Sequence, residues 1–224
     1  MTRQKIVGVI FSRADLHRAL RMRRPPDLFE LRLDRLLNSM DELTETIERL
    51  PAPLIITARD PREGGANGLS ARRRRALLER FLPHASYVDV ELRSAATLET
   101  VLQSASENKI GTIISFHDFK STPPASRLDE IAARGRSLGG KLIKLATRTD
   151  TPAQLETLLD FFQRQRRAAD VVAMGIGKLG RVSRLELARR GCILNYVHLG
   201  APSAAGQLSL RDLRRFADRF DPVS

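Results

Sequence analysis

The stretch Lys141-Leu142-Ile143-Lys144-Leu145-Ala146 is a short apolar run with a charged side chain inside it. Such a run is typical of a buried strand, where an ammonium group is unfavourable unless it is paired, neutralised or used in chemistry. Lys144 therefore has two interpretations. It is either a functional group or a lysine whose stem is buried while its head reaches water. A second run, residues 113–119, carries Ser115 and His117 in the same way.

Short apolar runs of this kind recur along the chain of 224 residues, and each is followed by a longer segment with apolar residues at helical spacing. The predicted strands cover residues 5–11, 28–33, 54–59, 87–92, 112–116, 142–146, 171–174 and 193–197. Helix-start residues fit the pattern: Ser12, Ser70, Thr151 before Pro152, and Ser209. Eight strand–helix units without a linker predict an α/β fold, a (β/α)8 TIM barrel built as a single domain from residues 1–224.

The alternative architecture is an open, doubly wound sheet, which would need a glycine-rich phosphate loop after an early strand. The first strand is followed instead by Ser12-Arg13-Ala14. Residues 175–180 do match G-x-G-x-x-G, but they follow the seventh run, and an isolated match is weak evidence. Because phosphate-binding loops of barrels often lie at this place, an anion beside this turn stays open.

The charge balance is strongly basic, with a formal net charge of +12 and an isoelectric point near 11.0. Such a charge favours anionic partners, but most of the arginines, such as those of residues 72–75, fall in predicted helices and indicate a solvated face. Few aromatic residues and one cysteine, Cys192, exclude a stacking platform for single strands and a cysteine-rich zinc site. No segment approaches membrane-spanning length. We expect a cytoplasmic protein without nucleic-acid or membrane partners.

Alternation within the strands gives several of them a polar face, because residues i and i+2 share a side. The pairs are Glu30 with Arg32, Thr57 with Arg59, Asp89 with Glu91, and Ser115 with His117, and Lys144 stands alone in the next strand. The outer face of a barrel packs on helices and must be apolar, so these groups are expected to point inward, toward the carboxyl-end mouth. Five consecutive strands of this kind predict a catalytic pocket. Lys141 falls on the opposite face, where we expect it to be solvated.

In their order and spacing, these motifs resemble the type I, Schiff-base-forming 3-dehydroquinate dehydratases over almost the whole chain. The matching segments are Glu30-Leu31-Arg32-Leu33-Asp34, Thr57-Ala58-Arg59 with Glu63-Gly64-Gly65, residues 87–92, Ser115-Phe116-His117-Asp118-Phe119, Lys144-Leu145-Ala146, Met174-Gly175 with Gly180-Arg181-Val182-Ser183-Arg184, and Ser203-Ala204-Ala205-Gly206-Gln207. The chain departs from the family pattern at Ala205, where the family usually has proline. It also has Leu194-Asn195-Tyr196 where a Phe-Gly pair is more common.

The resemblance implies loss of water from 3-dehydroquinate to give 3-dehydroshikimate, in the shikimate pathway of aromatic amino acid biosynthesis. Lys144 would attack the substrate ketone as a free amine and form an imine that acts as an electron sink. Burial and the guanidinium groups of Arg32, Arg59 and Arg184 would favour that neutral amine. His117 would act as general base and acid, oriented by Glu63.

The implied substrate-binding residues are Glu30, Arg32, Arg59, Arg184, Ser203 and Gln207, with Arg184 on the substrate carboxylate and the others on the hydroxyl groups and the closing loop. The resemblance implies no metal and no cofactor, a small-molecule substrate, and a homodimer. Two alternatives stay open. Another imine-forming barrel lyase or aldolase would share Lys144 but not the histidine and Ser-Arg contexts. A basic nucleic-acid-binding domain would explain the charge, although the sequence contains no motif for it.

Overall fold

Parallel strands alternate with helices in the computed structural model, which describes residues 3–165 and 171–220, with side chains as far as residue 216. The strands are β1 (Lys5–Ile10), β2 (Leu28–Arg32), β3 (Leu54–Thr57), β4 (Tyr87–Glu91), β5 (Gly111–Asp118), β6 (Leu142–Arg148), β7 (Val171–Ile176), β8 (Leu194–His198) and β9 (Leu208–Ser209). The helices are α1 (Arg13–Leu20), α2 (Met40–Thr46), α3 (Ala71–Phe81), α4 (Glu99–Glu107), α5 (Ala125–Ser137), α6 (Pro152–Gln165), α7 (Gly180–Arg189) and α8 (Leu210–Phe220).

The eight predicted strands are confirmed, and so are the predicted helix starts. Hydroxyl groups at these starts accept the backbone N–H three residues later, as in Ser12 from Asp15 (3.1 Å) and Ser209 from Asp212 (3.0 Å). Strands β5, β6 and β7 extend further than predicted, β3 ends two residues earlier, and the two-residue β9 was not predicted. The extension of β5 keeps His117 within the strand and thereby fixes its direction.

The strand order is β7-β6-β5-β4-β3-β2-β1-β8-β9, and every pairing is parallel. Neighbours in sequence are neighbours in the sheet, and β1 also pairs with β8, so the sheet curls as in a (β/α)8 barrel. A doubly wound sheet would reverse its order at a switch point, and that alternative is therefore wrong. Within the described residues, no ladder joins β7 to β8, and this gap is called the seam below.

Side chains bridge the seam where the ladder is missing. Arg184 of α7 donates from Nη1 to the backbone oxygen of Tyr196 in β8 (3.2 Å). The thiol of Cys192 lies 3.8 Å from the backbone oxygen of Ala173 in β7 and 3.5 Å from that of Leu194 in β8. Buried carbonyl groups need donors, so these contacts replace part of the missing ladder.

The apolar core lies between the sheet and the helices. Phe161 and Phe162 of α6 pack in one cluster with strands β5 to β7, and Phe81 of α3 packs in a second cluster with β2 to β4. The inner face of the sheet, in contrast, carries buried polar side chains, as the alternation predicted. No helix in the described part of the chain is long and apolar enough to cross a membrane.

The glycine-rich turn of residues 175–180 is explained by contacts within the chain. The backbone N–H of Lys178 donates to the Asp150 carboxylate (2.7 Å), so part of this turn is already occupied by an anionic group of the protein. A Cβ atom at Gly180 would lie 2.9 Å from the backbone oxygen of Ala205. These contacts explain the last glycine of the G-x-G-x-x-G pattern from within the chain.

Candidate active site

A cavity of about 180 Å³ opens at the carboxyl ends of the strands. Its wall contains all nine residues that the sequence predicted for the site: Lys144, His117, Glu63, Glu30, Arg32, Arg59, Arg184, Ser203 and Gln207. Met174, Phe119 and Tyr196 contribute apolar surface to the same wall. The sequence therefore predicted which residues come together, although several of their contacts differ from the expectation.

Lys144 of β6 points into the barrel and is only 3% exposed. Its Nζ donates to Asp89 Oδ2 (2.9 Å) and Glu30 Oε1 (3.2 Å), and it lies 4.0 Å from the ring centroid of Tyr196. The interpretation of Lys144 as a lysine whose head reaches water is wrong, since its amine ends in a buried, polar setting. Lys141 is exposed just before the strand, as predicted.

Arg59 is neutralised by acidic groups inside the barrel. Its two Nη atoms form a bidentate pair with Asp89 (2.9 and 3.0 Å), and Nη1 also contacts Glu91 (3.1 Å) and Ser115 (2.6 Å). Burial acts to raise the pKa of Asp89, but Arg59 and Lys144 outweigh it and hold that pKa well below its ordinary value. Arg59 is thus a counter-ion in this structure. Its guanidinium is hydrogen-bonded to two carboxylates and is not a free group beside the lysine.

Arg74 of α3 supports this cluster from behind and corrects the prediction of a solvated arginine run. It is 2% exposed and donates to the backbone oxygen of Ala58 (2.7 Å), to Asp60 Oδ2 (3.0 Å) and to Glu91. Glu91 therefore lies between Arg59 and Arg74. The helix sends one of its four consecutive arginines inward because a buried carboxylate requires a paired cation.

His117 and Glu63 form a hydrogen-bonded pair beside the lysine. Glu63 Oε2 lies 3.1 Å from His117 Nδ1 and accepts the backbone N–H of His117 (2.9 Å). Burial and the charges of Arg59 and Lys144 lower the pKa of His117 well below its ordinary value, and burial raises the pKa of Glu63 to about 7. The imidazole is therefore neutral at neutral pH. A hydrogen on Nδ1, shared with Glu63, leaves Nε2 available to take a proton.

Arg32 is held rigidly at the rim. It forms a bidentate pair with Asp34 (2.9 Å for both contacts) and donates to the backbone oxygen of Gly64 (3.2 Å). Burial acts to raise the pKa of Asp34, but Arg32 and backbone donors hold that pKa below its ordinary value. Asp34 also accepts the backbone N–H of Ala66 (2.9 Å), and it thereby links the strand to the loop that carries Glu63.

Arg184 is a buried guanidinium without an acidic partner in the described part of the chain. It is 8% exposed, its Nη1 donates to the backbone oxygen of Tyr196, and its Nε has no partner among the described residues. Burial lowers the pKa of Arg184 to about 10, so the group is still charged at neutral pH. A buried cation that faces a cavity without a counter-ion is suited to bind a carboxylate.

The loop before β9 closes one side of the cavity. Gln207 Oε1 accepts the backbone N–H (2.7 Å) and the hydroxyl (3.0 Å) of Ser203, and Gly206 adopts a left-handed conformation with φ of 83°. The Gln207 side chain is thus engaged with the loop itself. In the described part of the chain, no group of three His, Cys, Asp or Glu side chains could hold a metal ion.

Sequence reasoning did not assign roles to four residues that hold the site together: Asp89, Glu91, Arg74 and Tyr196. The sequence did contain a signal for Asp89 and Glu91, since their spacing of two residues places both on the inner face of β4. Tyr196 was noted only as a departure from a family pattern, and nothing in a run of four arginines distinguishes the one that turns inward.

Comparisons with known proteins show the family and the fold of this chain. A sequence model described as type I 3-dehydroquinase matches residues 11–219. A 3-dehydroquinate dehydratase of Thermococcus gammatolerans is 32% identical over 223 residues, covering 96% of this chain and 99% of the relative. One of Thermodesulfovibrio yellowstonii is 31% identical over 190 residues, covering 84% and 82%. The crystal structure of a type I 3-dehydroquinate dehydratase of Clostridium difficile, with covalently modified comenic acid, shares the fold with a TM-score of 0.86. It is 24% identical and covers 99% of this chain and 94% of that one.

Proposed function

Since the chain belongs to the type I 3-dehydroquinase family, we propose that its dehydratase reaction proceeds through an imine between Lys144 and its substrate. The chain is a 3-dehydroquinate dehydratase, a hydro-lyase that removes water from 3-dehydroquinate in the shikimate pathway. The alternatives of an aldolase and of a nucleic-acid-binding domain are therefore wrong. The observation that carries the imine proposal is the burial of the Lys144 amine inside the cavity, beside a neutral histidine.

Lys144 starts between two carboxylates and must release a proton before it can attack a ketone. Asp89 is a poor acceptor for that proton, because Arg59 and Lys144 hold its pKa well below its ordinary value. Glu30 is the other carboxylate within reach, and its Oε1 lies 3.2 Å from Nζ but 3.8 Å from Arg59 Nη2, too far for a hydrogen bond, so we assign the proton to Glu30. The amine then adds to the ketone carbon, water leaves, and the resulting iminium withdraws electrons from the neighbouring carbon.

His117 is the general base for the proton on that neighbouring carbon. Its lowered pKa keeps the imidazole neutral, and Glu63 stabilises the imidazolium that forms once the proton is taken. The same imidazolium then donates the proton to the departing hydroxyl group. The elimination thus needs one group that changes protonation twice, and the pair with Glu63 keeps its ring in one orientation.

Arg184 binds the substrate carboxylate, which supplies the counter-ion that the described residues do not provide. Arg32 and Glu30 lie on the cavity wall and bind ring hydroxyl groups, together with Ser203 and Gln207 of the closing loop. Arg59 acts mainly through Asp89, because its Nη atoms already donate to carboxylates. No metal and no cofactor takes part in this scheme.

We also propose that residues 1–224 act as one domain and that the protein works as a cytoplasmic homodimer. The continuous run of sheet neighbours from β7 to β9 supports a single domain. Light scattering after size-exclusion chromatography tests the dimer, and a monomer at micromolar concentration would contradict it. Fractionation of the source cells tests the location.

The decisive experiment is reduction of the enzyme by borohydride in the presence of 3-dehydroquinate, followed by mass spectrometry of its peptides. We expect an adduct on Lys144 in the wild type and none in Lys144→Met. Lys141→Met is the matched control, because this lysine is exposed and lies three residues away. It should retain both the adduct and the appearance of the enone in the ultraviolet. A wild type that forms enone without an adduct on Lys144 would refute the imine.

A further inference from the structure

Tyr196 lies against the reacting nitrogen of the proposed imine. Its side chain is 5% exposed, lines the cavity, and places its ring centroid 4.0 Å from Lys144 Nζ. An aromatic face attracts a cation through its quadrupole, most strongly where water is excluded. The ammonium of Lys144 is therefore held by two carboxylates and by one ring face.

Formation of the imine changes the contacts that the nitrogen can make. The ammonium and the ketone together give the iminium and one water, so two of the three ammonium hydrogens leave with the ketone oxygen and one stays on nitrogen. A single N–H cannot donate to Glu30 and Asp89 at once. The attraction between the ring face and the positive charge needs no hydrogen on nitrogen, so it persists after the reaction.

We propose that the aromatic face of Tyr196 stabilises the iminium on Lys144 more than the ammonium, whose charge is also balanced by hydrogen bonds to Glu30 and Asp89, and so makes Tyr196 a further catalytic residue. This inference rests on the proposed imine. The face is the relevant part of the side chain, since it is the part in contact with Nζ. The hydroxyl group has no hydrogen-bond partner among the described residues, so its removal breaks no contact within the protein.

The backbone of Tyr196 has a separate task, which substitution leaves in place. Its carbonyl oxygen accepts from Arg184 across the seam, and β8 holds the residue in register with Val7 of β1. A variant at position 196 therefore changes the ring beside Lys144 and keeps the donor contact of the proposed carboxylate site.

The test is a series of variants at position 196: Tyr196→Leu, Tyr196→Phe, and phenylalanine with one, two or three ring fluorines incorporated in place of Tyr196. Fluorine weakens the quadrupole while the ring keeps nearly the same shape. A desolvated contact of this kind corresponds to roughly a 30-fold effect on a rate. We expect kcat to fall by about that factor in Tyr196→Leu, with KM changed much less, because the contact concerns the reacting nitrogen.

The kcat of Tyr196→Phe should be close to that of the wild type and well above that of Tyr196→Leu. Among the fluorinated variants, log kcat should fall in steps with each added fluorine. The matched control is Tyr87→Leu. Tyr87 is the other tyrosine of the chain. Its ring centroid lies 5.9 Å from Nζ of the exposed Lys141, so its loss should not affect kcat. The fluorinated variants keep the packing, so they decide the matter even if the leucine variant folds poorly.

Equal rates across the fluorinated series would overturn the inference, as would a Tyr196→Phe variant as slow as Tyr196→Leu, which would assign the effect to the hydroxyl. Borohydride trapping of each variant separates this inference from the imine itself. Absence of an adduct in the wild type contradicts the imine. A normal adduct with a flat fluorine series contradicts only the role of the ring.

Discussion

Replacement of Glu63 by glutamine should make the protein more stable at high pH while it makes the enzyme slower. Burial raises the pKa of Glu63 from its ordinary 4.5 to about 7, so the folded state holds this proton more tightly than the unfolded state does. For such a group, stability is fully present below pH 4.5 and is lost as the pH rises through 7. A glutamine of the same shape has no proton to lose and avoids that loss.

The magnitude follows from the difference between the two pKa values. About 2.5 pH units at 1.36 kcal/mol each give a destabilisation of roughly 3 kcal/mol in the wild type at pH 8. The same calculation gives about 2 kcal/mol at pH 6 and almost nothing at pH 4. The advantage of Glu63→Gln over the wild type should therefore grow with pH across this window, because the glutamine can still accept from the backbone N–H of His117.

Urea unfolding of both proteins at pH 4, 6 and 8 measures this difference directly. The variant should gain on the wild type by about 3 kcal/mol between the two extremes. A stability difference that stays constant within about 0.5 kcal/mol over this range would refute the reasoning, since linkage permits no other outcome for a pKa raised by burial.

Activity should respond in the opposite direction. Ionised Glu63 stabilises the His117 imidazolium, so kcat/KM of the wild type should rise with pH through about 7. Glu63→Gln should lack this inflection and lose at least about tenfold in kcat. A variant that keeps the inflection would assign it to another group.

Three other substitutions have clear expectations. Arg184→Lys keeps the positive charge but loses the planar guanidinium that can bind a carboxylate through two N–H groups. Steady-state kinetics should show kcat/KM reduced about 10- to 100-fold, mainly through a higher KM. A change below twofold would contradict carboxylate binding at Arg184. Gly206→Ala puts a Cβ atom 2.7 Å from the backbone nitrogen of Arg181 at φ of 83°, so the melting temperature should fall by about 4 °C or more, and an unchanged melting curve would count against this geometry. Arg74→Met removes one of the two cations that pair with the buried Glu91 and Asp60 and should cost about 3–5 kcal/mol in urea unfolding, whereas the exposed Arg73→Met should cost less than about 0.5 kcal/mol.

Strand alternation was sufficient to predict which side chains enter the barrel. Glu30, Lys144 and His117 follow the period of two, and a barrel has only one interior for them to share. The family resemblance added Arg184 and the loop residues Ser203 and Gln207, which lie outside the strands. The order of the elements and the composition of the site were therefore accessible from the sequence, whereas the ends of several strands were not.

Pairings across the interior were not accessible in the same way. Asp89 reaches Lys144 from β4, which is not a sheet neighbour of β6, and this contact depends on the coiling of the sheet. Which opposite charges pair inside a barrel depends on the distances between strands, and Arg59 pairs with Asp89 and Glu91. Ladder gaps such as the seam also leave no signal in the sequence, because β7 and β8 are separated by a helix like the other neighbouring strands.

The seam gives substrate binding a mechanical consequence. Arg184 is the side chain that joins α7 to β8 where the ladder is missing, and its Nε is unpaired among the described residues. A carboxylate that binds this guanidinium while the rest of the same molecule is joined to Lys144 on β6 would connect the two sides of the gap. The bound substrate would then link the two sides of the gap for as long as it stays attached to Lys144. The wall would be stiffest during the chemical steps, and it would loosen again when the product leaves.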